Sequence, residues 1–221
     1  MHTTEKIILQ IEKEAKKYFK EPDACHDWTH VERVRKLALR MGKKERADLM
    51  VIEIAALLHD ICKKEEMLCK GKFCHAEIGG EKAQEIISKF KLDKETENNI
   101  IHCIKSHRYR NDRKPSTIEA KILYDADKLD SIGAIGIARD FLFAGFAGSK
   151  TLYTGREKEI AGSKKNFYYT KEDSAILEFE VKLKFIKNKM LTSEGKRMAN
   201  ERHRYMLEYF KRFWEEAEGK K

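Results

Sequence analysis

Apolar residues recur every three or four positions along almost the whole of this 221-residue chain, with no convincing strand-like alternation. A chain patterned in that way buries its apolar surface as helices packed on helices. Ile7, Ile8, Ile11, Ala15, Tyr18 and Phe19 outline a first helix, stopped near Pro22. Asp27 is placed as the N-cap of a second, whose Val31, Val34, Leu37, Ala38 and Met41 face inward before Gly42 ends it. A third, from Ala47 to Ile61, is the most apolar and belongs at the centre. Further helices are expected over 76–90, 93–107 and 116–129, the last opened by a capping box of Ser116 and Glu119 behind Pro115. Two long helices, over 172–190 and 193–218, close the chain as a hairpin that covers the core or makes a homodimer contact. The fold class is all-α, read as one domain over 1–221 with its core at about 20–140.

The N-terminus, MHTTEKIILQIEKEAKK, carries acids and no cleavage pattern, and no apolar run approaches the ~20 residues of a membrane span, so a cytoplasmic protein without a membrane partner is expected. Five cysteines with no export signal are expected as free thiols. Cys69 and Cys74 beside His75 hint at zinc, but their spacing fits no common knuckle. A net charge of +9 favours polyanionic partners. The basic residues are interleaved with acids along nearly every segment, however, and no helix-turn-helix, zinc finger or aromatic–basic motif is present, which argues against nucleic acid.

Four residues stand apart from the apolar pattern while lying inside it. His30 is one turn from Val34, on or beside the buried face of the second helix. His59-Asp60 ends the run EIAALLHDICK, and Asp127 sits late in another apolar helical stretch, LYDADKLDSIG, with Asp130 one turn on. Buried separately, each would carry a desolvation cost; converging on one cation, they cancel it. Mixed imidazole and carboxylate donors suit Mn²⁺, Fe²⁺, Co²⁺, Ni²⁺ or Zn²⁺ and are less natural for Mg²⁺.

At this point the chain resembles the HD superfamily of metal-dependent phosphohydrolases, whose pattern is H…HD…D on an all-helical core. His30 is similar to the first His, His59-Asp60 to the HD pair and Asp127 to the last Asp. HDWTHVERV (His26–Val34), AALLHDI (Ala55–Ile61), DADKLDSIGAIGIAR (Asp125–Arg139) and ERHRYM (Glu201–Met206) extend the likeness to a branch of bacterial and archaeal HD proteins that includes nucleotide pyrophosphohydrolases. The resemblance implies an HD-domain helical bundle and one divalent ion per chain, Mn²⁺ first among the candidates, held by His30, His59, Asp60 and Asp127. In two-metal members, further ligands come from a His at the start of the next helix and from a His-His pair. Here His75 could serve as the first, but Ser106-His107 keeps one His of the pair, with His102 a turn earlier, so a mononuclear site is expected.

The implied activity is hydrolysis of a phosphate ester or anhydride in a small nucleotide, with pyrophosphohydrolysis of (deoxy)nucleoside triphosphates the leading form. Release of phosphate from a 5′-nucleotide, or cleavage of a cyclic nucleotide or alarmone, are alternatives within the fold; a non-catalytic nucleic-acid or nucleotide-binding protein is the alternative outside it. His59 and Asp60 would carry the catalysis, Asp60 ligating through one oxygen and orienting water with the other. His26, Arg33, Lys63, Lys64, His75, His107 and Asp130 are candidates for substrate contact, with Arg108 beside them. Asp130 is also a candidate acceptor for a ligand histidine. The segment 145–170, with Gly145, Gly148, Gly155 and Gly162 and little periodicity, reads as a long functional loop that could fold over substrate as a lid through Lys150, Tyr153 and Arg156.

Overall fold

The computed structural model describes residues 3–20, 25–69, 72–109, 113–163 and 174–221; Pro22 and positions 164–170 of the expected lid lie outside them. Among the described residues every regular element is helical. The chain divides into two compact units, Met1–Asp127 with Leu191–Gly195, and Lys128–Met190 with Lys196–Lys221.

The first unit is assembled around α3 (Leu49–Leu58), which packs against α1 (Thr3–Ala15), α2 (Trp28–Glu45) and α6 (Lys94–Ser106). Seven of its ten residues are buried, so it is apolar on nearly every side, as befits the central element of a helical core. Asp27 caps α2 as expected, its carboxylate accepting from the His30 N–H at 3.0 Å. Gly42 does not end that helix. The helix runs on to Glu45, and Arg46 takes the left-handed cap at φ 56°. Gly42 is instead a close approach: a Cβ there would come within 2.6 Å of Ile52 and 2.9 Å of Leu49. Two short connections then lead through α4 (Lys63–Leu68), which sequence periodicity does not reveal, to α5 (His75–Ile87), packed on α4 and α6.

The expected capping box ahead of α7 (Ile118–Asp130) is displaced by one residue. Thr117 Oγ1 accepts from the Ala120 N–H at 3.2 Å, while Ser116 donates its N–H to His102 Nε2 at 3.0 Å. Glu119 is thereby freed to cross to two other helices. Its carboxylate accepts from the Asp48 N–H, just ahead of α3, and from Asn99 of α6, both at 3.0 Å. Burial pushes the Glu119 carboxyl up, but these hydrogen bonds outweigh it and hold the group below its ordinary value. A lowered folded pKa gives stability that is present above the unfolded value and lost as pH falls through the folded one. Glu119→Ala is therefore expected to cost about 1.5–3 kcal/mol near neutrality, with the gap to the parent narrowing on acidification; urea melts across a pH series measure both.

The second unit holds α8 (Gly133–Phe146), α9 (Glu157–Gly162), α10 (Ala175–Val181), a 3₁₀ segment (Leu183–Lys189) and most of α11 (Ser193–Ala217). The single long helix expected over 172–190 is broken at Lys182, whose φ of −136° is non-helical. Phe179 of α10 stacks on Phe210 of α11 at 4.2 Å between ring centroids, which pins the C-terminal pair. The stretch read as a loop contains α9, with Ile160 buried against Leu177. Tyr153 packs edge-on against Trp214 at 5.2 Å, and Arg156 pairs with Glu159. No described helix is long and apolar enough to cross a membrane.

Candidate metal centre

The local fold delivers six chemistry-bearing side chains to the first unit's interior. His30 projects from the buried face of α2. His59 and Asp60 follow the last turn of α3, and His107 follows that of α6. His75 opens α5, and Asp127 lies on α7. All are buried except Asp127, which is about a quarter exposed at 23%.

These residues form two groups that could hold a metal ion, His30–His59–Asp127 and Asp60–His75–His107. In the first, the Nε2 atoms of His30 and His59 are 3.4 Å apart, and Asp127 Oδ1 is 3.5 Å from His30 Nε2. In the second, the Nε2 atoms of His75 and His107 are 3.1 Å apart, and Asp60 Oδ1 lies 2.9 and 3.5 Å from them. Donors held ~2.0–2.1 Å from a common cation are about 3.0–3.4 Å from one another. The residues present therefore fit a metal ion. Asp60 faces both groups: its Oδ2 is 3.6 Å from His30 Nε2 and 3.7 Å from His59 Nε2, while its Oδ1 faces His75 and His107. From the sequence one ion is expected, with His75 and His107 among the substrate contacts; the geometry brings both together with Asp60 in the second group.

Each ligand ring needs its lone pair on Nε2, hence its proton on Nδ1. His59 donates Nδ1–H to the Ala56 carbonyl at 2.8 Å, and His107 donates to the Ile104 carbonyl at 2.7 Å, each reaching back into the helix it follows. His75 opens a helix and has no such turn behind it. It meets the Glu66 carboxylate on α4 at 2.7 Å instead. Asp130, a candidate for such an anchoring role, pairs with Arg139 at 2.7 Å in the second unit. Glu66 was not singled out in the sequence. In KKEEM only Lys63 is a local partner, and the groups that give Glu66 its role, His75 and Arg108, come from later in the chain.

Electrostatics follow from this arrangement. Burial pushes the Asp60 carboxyl up, but the imidazoles packed around it, His59, His75 and His107, hold it well below the usual carboxylate range. Burial lowers His107 to about 4, against the pull of Asp60. Glu66 is raised by burial but brought down to about 2 by hydrogen bonds from Lys63 and His75. It is thus an anion that can only accept, which assigns the shared proton to His75 Nδ1.

The remaining candidates separate. Lys63 donates to Glu66 at 2.9 Å, and Arg108 pairs with the other oxygen of the same carboxylate, so both cations stand beside the Asp60–His75–His107 group. The His26 ring packs edge-on against His30 at 5.8 Å. Arg33 donates to Thr29 at 2.9 Å on an exposed stretch of α2, and Lys64 is exposed on α4. The five cysteines are free thiols, and Cys69 and Cys74 enter no ligand group among the described residues.

Residues 27–132 match the family described as HD domain. YpgQ of Bacillus subtilis (strain 168) is 34% identical over 200 residues, covering 88% of this chain and 85% of its own. The crystal structure of Bacillus subtilis YpgQ in complex with ADP superposes with a TM-score of 0.72 at 32% identity, over 97% of each chain. A crystal structure of an HD-superfamily hydrolase from Bacillus thuringiensis does so with a TM-score of 0.73 at 28% identity, covering 98% of this chain and 99% of that one.

Proposed function

The chain belongs to the HD domain family, and from that premise we propose that it is a metal-dependent phosphohydrolase acting on a small nucleotide. The observation that carries this is Asp60 set between two groups of imidazole and carboxylate donors at the separations a cation imposes. Divalent ions bound there would acidify water and offset charge gathering on phosphoryl oxygens. His30, His59, Asp127 and Asp60 would hold one, and Asp60, His75 and His107 a second. Imidazole-rich donor sets of this kind favour Mn²⁺, Fe²⁺, Co²⁺, Ni²⁺ or Zn²⁺ over Mg²⁺, and Mn²⁺ is our first choice.

The protein's own groups then have definable parts. Asp60, ionised and flanked by imidazoles, orients water by accepting from it with whichever lone pairs ligation leaves. Lys63 and Arg108 supply fixed positive charge beside the second group, where a phosphate can be met by point-charge and forked donors respectively. Nucleotide chemistry is favoured by the relative solved with ADP. Within it, we take the reaction to be attack of water on the α-phosphorus of a (deoxy)nucleoside triphosphate. The bond to the α,β-bridging oxygen breaks, and monophosphate and pyrophosphate leave.

A panel of nucleoside mono-, di- and triphosphates, cyclic nucleotides and alarmones, assayed with Mn²⁺, Mg²⁺, Co²⁺ and Ni²⁺ and resolved by ion-exchange chromatography, tests the proposal. The expected result is pyrophosphate from triphosphates, strongest with Mn²⁺, abolished by EDTA and restored by added Mn²⁺. Phosphate as the sole inorganic product would replace the pyrophosphohydrolase assignment. Turnover that survives EDTA would remove the metal from it.

A further inference from the structure

We infer that Glu66 is a positioning residue dedicated to one of the two ligand groups, so that occupancy of the Asp60–His75–His107 group depends on it while the His30–His59–Asp127 group does not. The inference rests on the two-ion reading above. Glu66 approaches His75 Nδ1 at 2.7 Å, and its two oxygens are themselves fixed by Lys63 at 2.9 Å and by Arg108. Arg108 also lies 3.2 Å from His75 Nδ1, but an arginine can only donate, and the shorter contact to an anion claims the ring proton. With Nδ1 protonated, the His75 lone pair is held on Nε2, 2.9 Å from Asp60 Oδ1 and 3.1 Å from His107 Nε2.

His59 and His107 are oriented by neutral backbone carbonyls, so their Nδ1 protons do not depend on a side-chain acceptor. His75 alone of these three is oriented by a charged side chain from a separate helix, and a carboxylate partner also makes the imidazole a stronger donor to a cation. Without Glu66 the ring can flip or change tautomer, with Lys63 and Arg108 left crowding it.

The test is an Mn²⁺ titration of metal-free protein by calorimetry, with bound metal counted by elemental analysis. His30→Ala and His107→Ala assign the two binding events. On the unmodified chain two ions are expected. Glu66→Ala should weaken the event that His107→Ala removes by about 10- to 100-fold and leave the other within about twofold. Glu66→Gln, which keeps an acceptor of the same reach, should recover part of the loss and guards against misfolding in the alanine variant. Equal affinity for both ions in Glu66→Ala and the parent would overturn the inference. So would parallel weakening of both ions, which would make Glu66 a prop for α4 rather than an anchor for His75. A single Mn²⁺ on the unmodified chain would overturn the two-ion reading, and this inference with it, at a step visible before any Glu66 variant is made.

Discussion

Asp60→Ala is expected to leave the chain folded, to reduce bound Mn²⁺ below one ion per chain, and to lower turnover by at least about a thousandfold. The size follows from position. Among the described residues Asp60 is the carboxylate whose two oxygens face different candidate ligand groups, so its loss removes a donor from both at once. Charge stabilisation by a bound ion is worth several kcal/mol in phosphoryl chemistry, and about 1.4 kcal/mol corresponds to a factor of ten. The fold should survive because Asp60 lies in the turn after α3, where its backbone carbonyl, not its carboxylate, accepts from the Lys63 N–H. Asp60→Asn separates charge from shape: it keeps the volume, but one of its two faces presents an amide that cannot ligate. If shape were what mattered, Asn would retain both ions. Metal content after dialysis, far-UV circular dichroism and kcat/KM on the best triphosphate read the three expectations. Full activity in Asp60→Ala would refute the proposed site.

The second large effect is on stability. Asp125, two residues before the candidate ligand Asp127 and fully buried, accepts from the Leu191 N–H at 2.9 Å and from the Thr192 N–H and hydroxyl at 2.8 and 2.7 Å. Thr192 in turn accepts from the Gly195 N–H at 3.0 Å, and a Cβ at Gly195 would run into the Asp125 carboxylate. Asp125→Ala leaves three donors, two of them buried, without their acceptor. Removing one member of a buried charged network costs about 3–5 kcal/mol, a large part of the stability of a typical domain. Thr192→Val deletes a single hydroxyl donor and should cost about 1 kcal/mol. Urea melts of the two variants give the comparison. A loss below about 1 kcal/mol in Asp125→Ala would show that the segment Leu191–Gly195 is held by something other than this carboxylate.

Asp125 and Glu66 also show where sequence stops being informative. Helices were legible because their apolar spacing is written into consecutive residues, and Asp27 was legible as a cap because its acceptor role is completed within three positions. The residues His30, His59, Asp60 and Asp127 were legible because each interrupts an apolar face. Asp125, by contrast, is satisfied by groups sixty-six and sixty-seven positions away. Glu66 has one local partner, Lys63, but it meets His75 and Arg108 only from later segments of the chain. Gly42 misled for a related reason. Glycine near a helix end reads as a stop, yet here its missing side chain admits Ile52 and Leu49 from α3. Glu119 was placed in a local box because Ser116 stands three residues ahead, whereas its oxygens are taken by Asp48 and Asn99. Local pattern reports local partners, and a carboxylate that joins distant segments leaves no periodic trace.

The back-bonds of His59 and His107 to the carbonyls of Ala56 and Ile104 bear on how this centre can change over generations. A backbone acceptor is present whatever residue occupies its position, so drift at those neighbours cannot unset either ring. Each ligand group therefore contains one histidine whose tautomer is inherited with the helix itself. His75 is different, since one codon change at Glu66 removes its anchor. The two halves of the centre are thus unequally exposed to mutation, and a lineage could lose or retune the His75 half while keeping the rest intact.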